Sequence, residues 1–404
     1  MDRQPWMSAA DTRRVMEALT AGGAAVRFVG GCVRDALLGR PVKDIDIATD
    51  APPERVIELL EAAEIKAVPT GIEHGTVTAV VGGQPFEITT LRRDIETDGR
   101  HATVEFTDDW VADAARRDLT INALSLAPDG TLYDPFDGEA DLHAGRIRFV
   151  GDPRRRIEED VLRLLRWFRF YAEYGSPPPD LDSLAACREM APRLPGLSAE
   201  RVRAELLRLL GAPDPATVVT LMGEERVLAN FLPEATEVGR LGNVVRIEAE
   251  LGAAPDPILR LAALLAVDAG TARAVAERLR LSNVERDRLV AVAESNLDLG
   301  PKMEAQAWRE AAYRLGRGTI ADLAMIAWAG ADNGDGWREL VADMAVWAVP
   351  AFPLSGKDAV AAGIESGPEV GAALRAVEDW WIAGDFGADR AACLKRLEDL
   401  VSRA

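Results

Sequence analysis

Between Val29 and Thr49 the chain reads VGGCVRDALLGRPVKDIDIAT: a Gly30-Gly31 pair, an Arg34-Asp35 pair three residues on, and two aspartates, Asp44 and Asp46, one residue apart. These residue types in this order suit nucleotidyl transfer. Paired glycines turn tightly and bring bare backbone N–H groups against a triphosphate, and Arg34 on the helix that follows adds positive charge. Asp44 and Asp46 alternate with Ile45 and Ile47, so on a strand of period two both carboxylates face one side. Two carboxylates on one face, beside a bound triphosphate, are what a pair of Mg²⁺ ions needs. Taken singly, each piece has a plainer reading: DxD is common on surface strands, GG is an ordinary turn, and Arg34-Asp35 is a possible helix ion pair. The joint order carries the inference.

Two further segments could do chemistry. Arg116-Arg117-Asp118-Leu-Thr-Ile-Asn122 places two guanidinium groups and an amide where they could grip phosphates and a ribose hydroxyl; alone it would read as a solvated helix end. Glu159-Asp160-Val-Leu-Arg163-Leu-Leu-Arg166-Trp-Phe-Arg169-Phe170 reads as one helix, with Asp160 and Arg163 three apart and so on one face. Arg166 and Arg169 carry the charge further round. Such spacing usually means a structural ion pair. In this context it has a second meaning, because cytosine and adenine both present an amino donor beside a ring-nitrogen acceptor, while uracil and guanine present the reverse. An Asp that accepts and an Arg that donates would take C or A and reject U and G with no template.

These residues need elements to hold them. Val26, Phe28 and Val29 end a short apolar strand over 25–29; further short strands are expected over 45–48, 76–81, 86–90 and 121–126, with a hairpin over 76–90 turned at Gly82-Gly83. Helical stretches alternate with them, which predicts an α+β head with a mixed sheet. After about residue 150 only Leu/Ala/Arg/Glu-rich helical patterns remain, broken by Pro and Gly clusters, and no repeat period is evident. Polar, glycine-containing residues from Arg93 to Glu105 read as a mobile loop beside the site. The last histidine is His143, so the helical part cannot hold a histidine-based metal site.

A chain of 404 residues, 48% hydrophobic, has room for two or more domains. Cys32, Cys187 and Cys393 form no zinc spacing and suit a reducing cytoplasm. No signal-peptide core or apolar run of membrane length occurs. A net charge of -19 argues against a nucleic-acid partner, yet between Arg146 and Arg169 eight arginines face four acids, and Arg201, Arg203 and Arg208 follow on a second basic helix.

Together the segments resemble the bacterial class II CCA-adding tRNA nucleotidyltransferases, in the wider group that includes bacterial poly(A) polymerase. GGCVRDALLGRPVKDIDIAT is similar to the catalytic motif, RRDLTINAL to the ribose motif, DPFDGEADL to the head-to-neck motif, EEDVLRLLRWFRF to the base-selecting motif, and SAERVRAEL, from Ser198, to the last neck motif. The likeness spans roughly residues 24 to 210 in the right order. Beyond that only general helical character matches. One departure is mild: Ile157 and Val161 stand where the family usually has Phe or Tyr and, after Glu-Asp, Pro.

The resemblance implies a catalytic head over 1–145, a helical neck with the base pocket over 146–211, and an all-α, tRNA-binding body and tail over 212–404. It implies that Asp44 and Asp46 ligand Mg²⁺, with Glu87 the third acidic group near the attacking hydroxyl. Gly30, Gly31 and Arg34 would hold the triphosphate, Arg117 with Asp118 and Asn122 the phosphate and ribose, and Asp160 and Arg163 the base, with Arg166 and Arg169 completing the pocket. The implied partners are tRNA, through its acceptor arm and 3′ end, with CTP and ATP; neither a membrane nor a protein partner is expected. In this family a loop at 93–105 goes with the ability to add the terminal A. A poly(A) polymerase or an A-adding enzyme would share the head motifs, although poly(A) polymerases tend to carry a basic tail and this one is acidic. A DxD glycosyltransferase would need neither GGxxRD nor RRDxTxNA, and a non-catalytic RNA-binding relative would be expected to have lost a carboxylate.

Overall fold

The computed structural model describes residues 4–97, 102–331, 334–365 and 367–402. It comprises two compact units, Met1–Pro233 and Glu234–Ala404.

In the first unit, α1 (Ala10–Thr20), β1 (Val26–Val29), α2 (Gly31–Leu37), β2 (Ile45–Thr49), α3 (Pro53–Ala62), β3 (Lys66–Gly71), β4 (Thr76–Val81) and β5 (Gln84–Thr90) follow in order. The ribbon β6 (Arg92–Thr97) and β7 (Ala102–Phe106), then α4 (Trp110–Ala115), β8 (Ser125–Leu126) and β9 (Leu132–Tyr133), complete the head. The main sheet has the strand order β3-β4-β5-β2-β1-β8-β9. β2 runs parallel to β5, and the other neighbours are antiparallel, so the sheet is mixed as expected. Period-two alternation sorts its faces. Phe28, Ile47, Val77, Phe86 and Ile88 point into a core closed by Val15 and Leu19 of α1 and Leu60 of α3, which leaves Asp46 and Glu87 on the opposite face. The hairpin turn is where the glycines put it: Gly82 and Gly83 both adopt positive φ, at 59° and 84°, which side chains with a Cβ resist.

Two expectations fail here. Of the strand expected over 121–126 only Ser125–Leu126 pairs; Thr120–Asn122 is a single 3-10 turn. Side-chain hydrogen bonds override the apolar pattern: Thr120 Oγ1 donates to buried Asp141 at 2.7 Å, and Asn122 Nδ2 to Asp118 at 3.0 Å. The segment expected as a loop over 93–105 is instead an antiparallel ribbon, with Arg93 opposite Glu105 and Asp94 opposite Val104. Across it Arg93 Nε donates to Glu105 at 2.5 Å. Asp98, Gly99, Arg100 and His101 of that expectation lie outside the described residues.

Next come α5 (Gly138–His143), α6 (Pro153–Glu159), α7 (Leu162–Tyr174), α8 (Leu181–Met190), α9 (Ala199–Leu210) and α10 (Pro215–Glu224). The helix expected through Glu159–Phe170 is interrupted: Asp160 is extended, at φ -155°, and separates α6 from α7. Its side chain accepts from the Leu162 backbone N–H at 3.1 Å, so it turns onto the start of α7 instead of continuing α6. α7 buries Leu164, Leu165, Trp167 and Phe168, and Trp167 Nε1 donates to Ile147 O at 2.8 Å. That anchoring fixes which way the opposite stripe, Arg163, Arg166 and Arg169, faces.

Among the described residues every element of the second unit is a helix, from Val238–Leu251 to Arg390–Val401. One core gathers Val244, Ile247, Trp308, Trp328 and Trp337, another Leu354, Val377, Trp381 and Leu397. Buried Arg260 pairs with buried Glu248 at 2.6 Å. Among the described residues no helix is long and apolar enough to cross a membrane.

Candidate active site

The parallel pairing of β2 with β5 sets Asp46 directly beside Glu87 on the face away from the core. Asp44, one residue before β2, is exposed, as is Glu87, while Asp46 is partly buried. Burial and then the Glu87 charge push the Asp46 carboxyl up to about 6; Asp44 adds to the push, and Arg117 and Arg34 oppose it. The acidic neighbours that raise the Asp46 carboxyl offer the same negative field to a divalent cation. Among the described residues no three His, Cys, Asp or Glu side chains gather closely enough to hold a metal by themselves. Asp44 and Asp46 therefore fit a magnesium-type site, in which one or two carboxylates act together with substrate phosphates and water.

Gly30 closes the first side of this site. It sits at φ 68°, and a Cβ there would lie 3.6 Å from Arg117 Nη1 and 3.7 Å from Asp46 Oδ2, so the turn passes between the two. Arg34, one turn into α2, is buried. Its Nε donates to Asp35 at 3.2 Å and its Nη1 to Asn122 Oδ1 at 2.6 Å, and its guanidinium lies 4.5 Å from the Tyr174 ring and 5.2 Å from Phe170. The plain helix ion pair and the contact with a distant segment thus coexist.

Gly30, Gly31, Arg34, Asp46, Arg117, Asp118, Asn122, Asp160, Arg163, Arg166 and Arg169 all border one cavity of about 680 Å³. Asp44 and Glu87 are not among its lining residues. Within it the residues divide into two kinds. Asp118 and Asn122 are buried and turned onto protein: Asp118 accepts from the Leu119 N–H at 2.9 Å, from Asn122 Nδ2 and from Arg166 Nε at 2.6 Å. Burial alone would raise the Asp118 carboxyl, but Arg166 and these hydrogen bonds hold it down at about 2. These two side chains brace Arg166 and Arg34. Arg117 is tied less fully, to Asp113 at 3.2 Å and Asn122 O at 3.3 Å, and keeps N–H groups for an anion.

Asp160 and Arg163 do not pair with each other. Asp160 Oδ2 accepts from Arg201 at 2.7 Å. Arg163 donates to Glu159 at 2.6 Å and to the carbonyls of Arg156 and Arg116, both at 3.1 Å. The break after α6 separates the two side chains from the i,i+3 partnership that an unbroken helix would impose, yet leaves both at the cavity wall. Arg166 and Arg169 converge on Glu205, at 3.8 Å and 2.6 Å. Glu205 is buried on α9 and was not among the expected site residues, nor were Arg201 and Glu159. A signal was present: SAERVRAEL and the Arg208 that follows it set Arg201, Glu205 and Arg208 along one helix face, at i, i+4 and i+7.

Residues 26–148 match the poly A polymerase head domain family, and residues 179–238 the family described as probable RNA and SrmB-binding site of polymerase A. The CCA-adding enzyme of Levilactobacillus brevis is 32% identical over 398 residues, 96% of this chain and 97% of that protein. The mouse protein named CCA tRNA nucleotidyltransferase 1, mitochondrial, is 37% identical over 367 residues, 88% of this chain and 82% of its own. The crystal structure of the Bacillus stearothermophilus CCA-adding enzyme in complex with CTP superposes with a TM-score of 0.80 at 27% identity, covering 99% of both chains.

Proposed function

Since the chain belongs to the family of CCA-adding tRNA nucleotidyltransferases, we propose that it adds C, C and A in turn to the 3′ end of tRNA, from CTP and ATP and without a template. The observation that carries this reading is the pairing of β2 with β5, which brings Asp46 and Glu87 together at the rim of an arginine-lined cavity large enough for a nucleotide. In the reaction the tRNA 3′-oxygen bonds to the α-phosphorus, the bond from that phosphorus to the β-bridging oxygen breaks, and pyrophosphate leaves with the electron pair while the hydroxyl proton passes to a nearby base or water.

Each residue has a task in that sequence. The Gly30-Gly31 turn and Arg34 hold the triphosphate, and Arg117, tied to Asp113 and the Asn122 carbonyl, holds phosphate and ribose together with Asp118 and Asn122. Asp160 accepts from the amino group of C or A, and Arg163 donates to the ring nitrogen beside it. Arg166 and Arg169 wall the pocket. Glu87 faces the attacking hydroxyl. Asp44 and Asp46 would hold two magnesium ions, which when bound supply charge that makes the 3′-hydroxyl more acidic and steadies the departing pyrophosphate. We assign 1–145 to the catalytic head, 146–211 to the neck that carries the base pocket, and 212–404 to the body and tail that grip the acceptor arm. The three buried free cysteines suit work in the cytoplasm.

The test is incubation of the purified protein with tRNA lacking its 3′ end and each labelled nucleoside triphosphate. The expected products end at C, CC and CCA and grow no further. Long A tails on unrelated RNA would make it a poly(A) polymerase, and failure to use CTP an A-adding enzyme.

A further inference from the structure

A second cavity, of about 530 Å³, adjoins the first, and the two share Gly31, Arg34 and Asp46. The nucleotide tasks set out above engage only those shared residues and Asp44. Beyond these the second cavity adds Asp35, Arg40, Pro41, Lys43, Glu173 and Tyr174. Two features set these side chains apart. Tyr174 stands between two guanidinium groups, 4.5 Å from Arg34 and 4.6 Å from Arg40, with its hydroxyl on Asp35 at 3.0 Å. Arg40 is fixed from its other side by Glu173, through the carboxylate at 2.9 Å and the backbone carbonyl at 3.2 Å. One ring thus holds two guanidinium groups at the wall of this cavity, each with a single carboxylate partner, Asp35 or Glu173, and with further N–H groups for an anion. Lys43, by contrast, is exposed and forms no ion pair with any described residue, although Asp44 is its neighbour in the chain.

A nucleotide whose base edge meets Asp160 and whose α-phosphate lies by Asp46 still has two phosphates to place. They extend past Asp46 and the Gly31 turn, the shared wall, into the chamber where the three cations wait. We propose that Arg40 and Lys43 receive the β- and γ-phosphates and then the free pyrophosphate, with Tyr174 as the positioning residue that keeps Arg34 and Arg40 aligned. Lys43, bound to no carboxylate, is the group whose ammonium the product must shed in order to leave. This inference rests on the proposed nucleotidyl transfer and extends it to the exit of its second product.

The experiment is calorimetric titration of magnesium pyrophosphate into the full-length protein and its Lys43→Gln and Tyr174→Leu variants, with tRNA affinity measured alongside. Lys43 is exposed, so Lys43→Gln should leave the melting temperature unchanged. It should weaken pyrophosphate about five- to thirtyfold, the range for losing a charge-assisted contact at a partly wet site, with tRNA affinity within about twofold. Tyr174→Leu should weaken pyrophosphate through Arg40 even where it also lowers stability. Equal pyrophosphate affinity in wild type and Lys43→Gln, or none in wild type, would overturn the proposal. A loss confined to tRNA binding would instead give the chamber to the RNA backbone. Incorporation is scored separately: a wild type that binds pyrophosphate through Lys43 but never extends tRNA removes the proposed function alone, and one that extends tRNA with pyrophosphate binding indifferent to Lys43 removes this site alone.

Discussion

Asp46 is the residue at which folding and chemistry pull in opposite directions. Its carboxyl sits at about 6 instead of 3.8, so between those values the folded protein keeps a proton that the unfolded chain has released. The penalty of ionising it is absent below about pH 4, grows as pH rises and is complete above about pH 6. Asp46→Asn should therefore raise the melting temperature of the metal-free protein at pH 8, by the equivalent of about 1–3 kcal/mol, with the gain fading to nothing near pH 4. The same substitution should cut incorporation below about a hundredth of wild type and abolish any stabilisation by magnesium. Melting curves of wild type and Asp46→Asn that coincide at every pH would remove this account. Arg163 poses a sharper question, because Glu159 and two carbonyls already hold it. If its remaining N–H groups read the base, Arg163→Ala should raise UTP or GTP use relative to CTP or ATP about five- to a hundredfold. Unchanged ratios with a lowered melting temperature would leave it a brace.

Among the elements, those legible in the sequence were the ones whose pattern and burial agree. The strand around Asp46 announced itself because Ile45 and Ile47 alternate with carboxylates, and the Gly82-Gly83 hairpin because both glycines are needed at positive φ. The 3-10 turn at Thr120–Asn122 could not be read, since its apolar residues look like a strand and Asp141, 21 residues from Thr120, joins the nearby Asp118 in making the turn preferable. The break at Asp160 was hidden for a similar reason: its bond to Arg201, 41 residues on, is available only after folding. The ribbon β6–β7 was missed for a different reason: Ala102, Val104 and Phe106 do alternate with polar residues, but their partner run Arg92–Thr97 is polar at every position but Ile95. Removing Asp94 to Thr103 from it should leave tRNA products ending at CC, which gel analysis of products from tRNA lacking its 3′ end would show; full-length CCA from the shortened enzyme would deny the ribbon any part in the switch to A.

Seen whole, the molecule carries a charge of -19 and yet is assigned a polyanionic substrate. Many of its arginines are tied to its own carboxylates, Arg288 to Asp256 and Asp322 and Arg278 to Glu234 among them, which leaves few cations to displace counterions from RNA. Net repulsion from tRNA is itself screened by salt. The affinity for tRNA should therefore fall less than about tenfold between 50 and 200 mM salt, against the roughly thousandfold or greater loss of a protein making six to ten phosphate contacts. A steep salt dependence, measured by filter binding, would show that unpaired basic residues dominate the grip. Helical character throughout the second unit was plain from its composition, whereas the buried Glu248–Arg260 pair within it was not, being two charged residues that look solvated until packed.

The cavity arginines also constrain how this protein can vary over generations. Glu205 is shared by Arg166, Arg169 and Arg208, Asp118 by Arg166 and Asn122, and Glu159 by Arg156 and Arg163. Losing one member strands a charge in a poorly hydrated place, at a cost of about 3–5 kcal/mol for a fully buried partner. Random single-site mutagenesis would thus score braces and nucleotide contacts as equally intolerant, though only the contacts meet substrate. Surviving lineages would change these positions two at a time, and a library that varies 169 together with 205 should recover folded enzyme that neither single library contains.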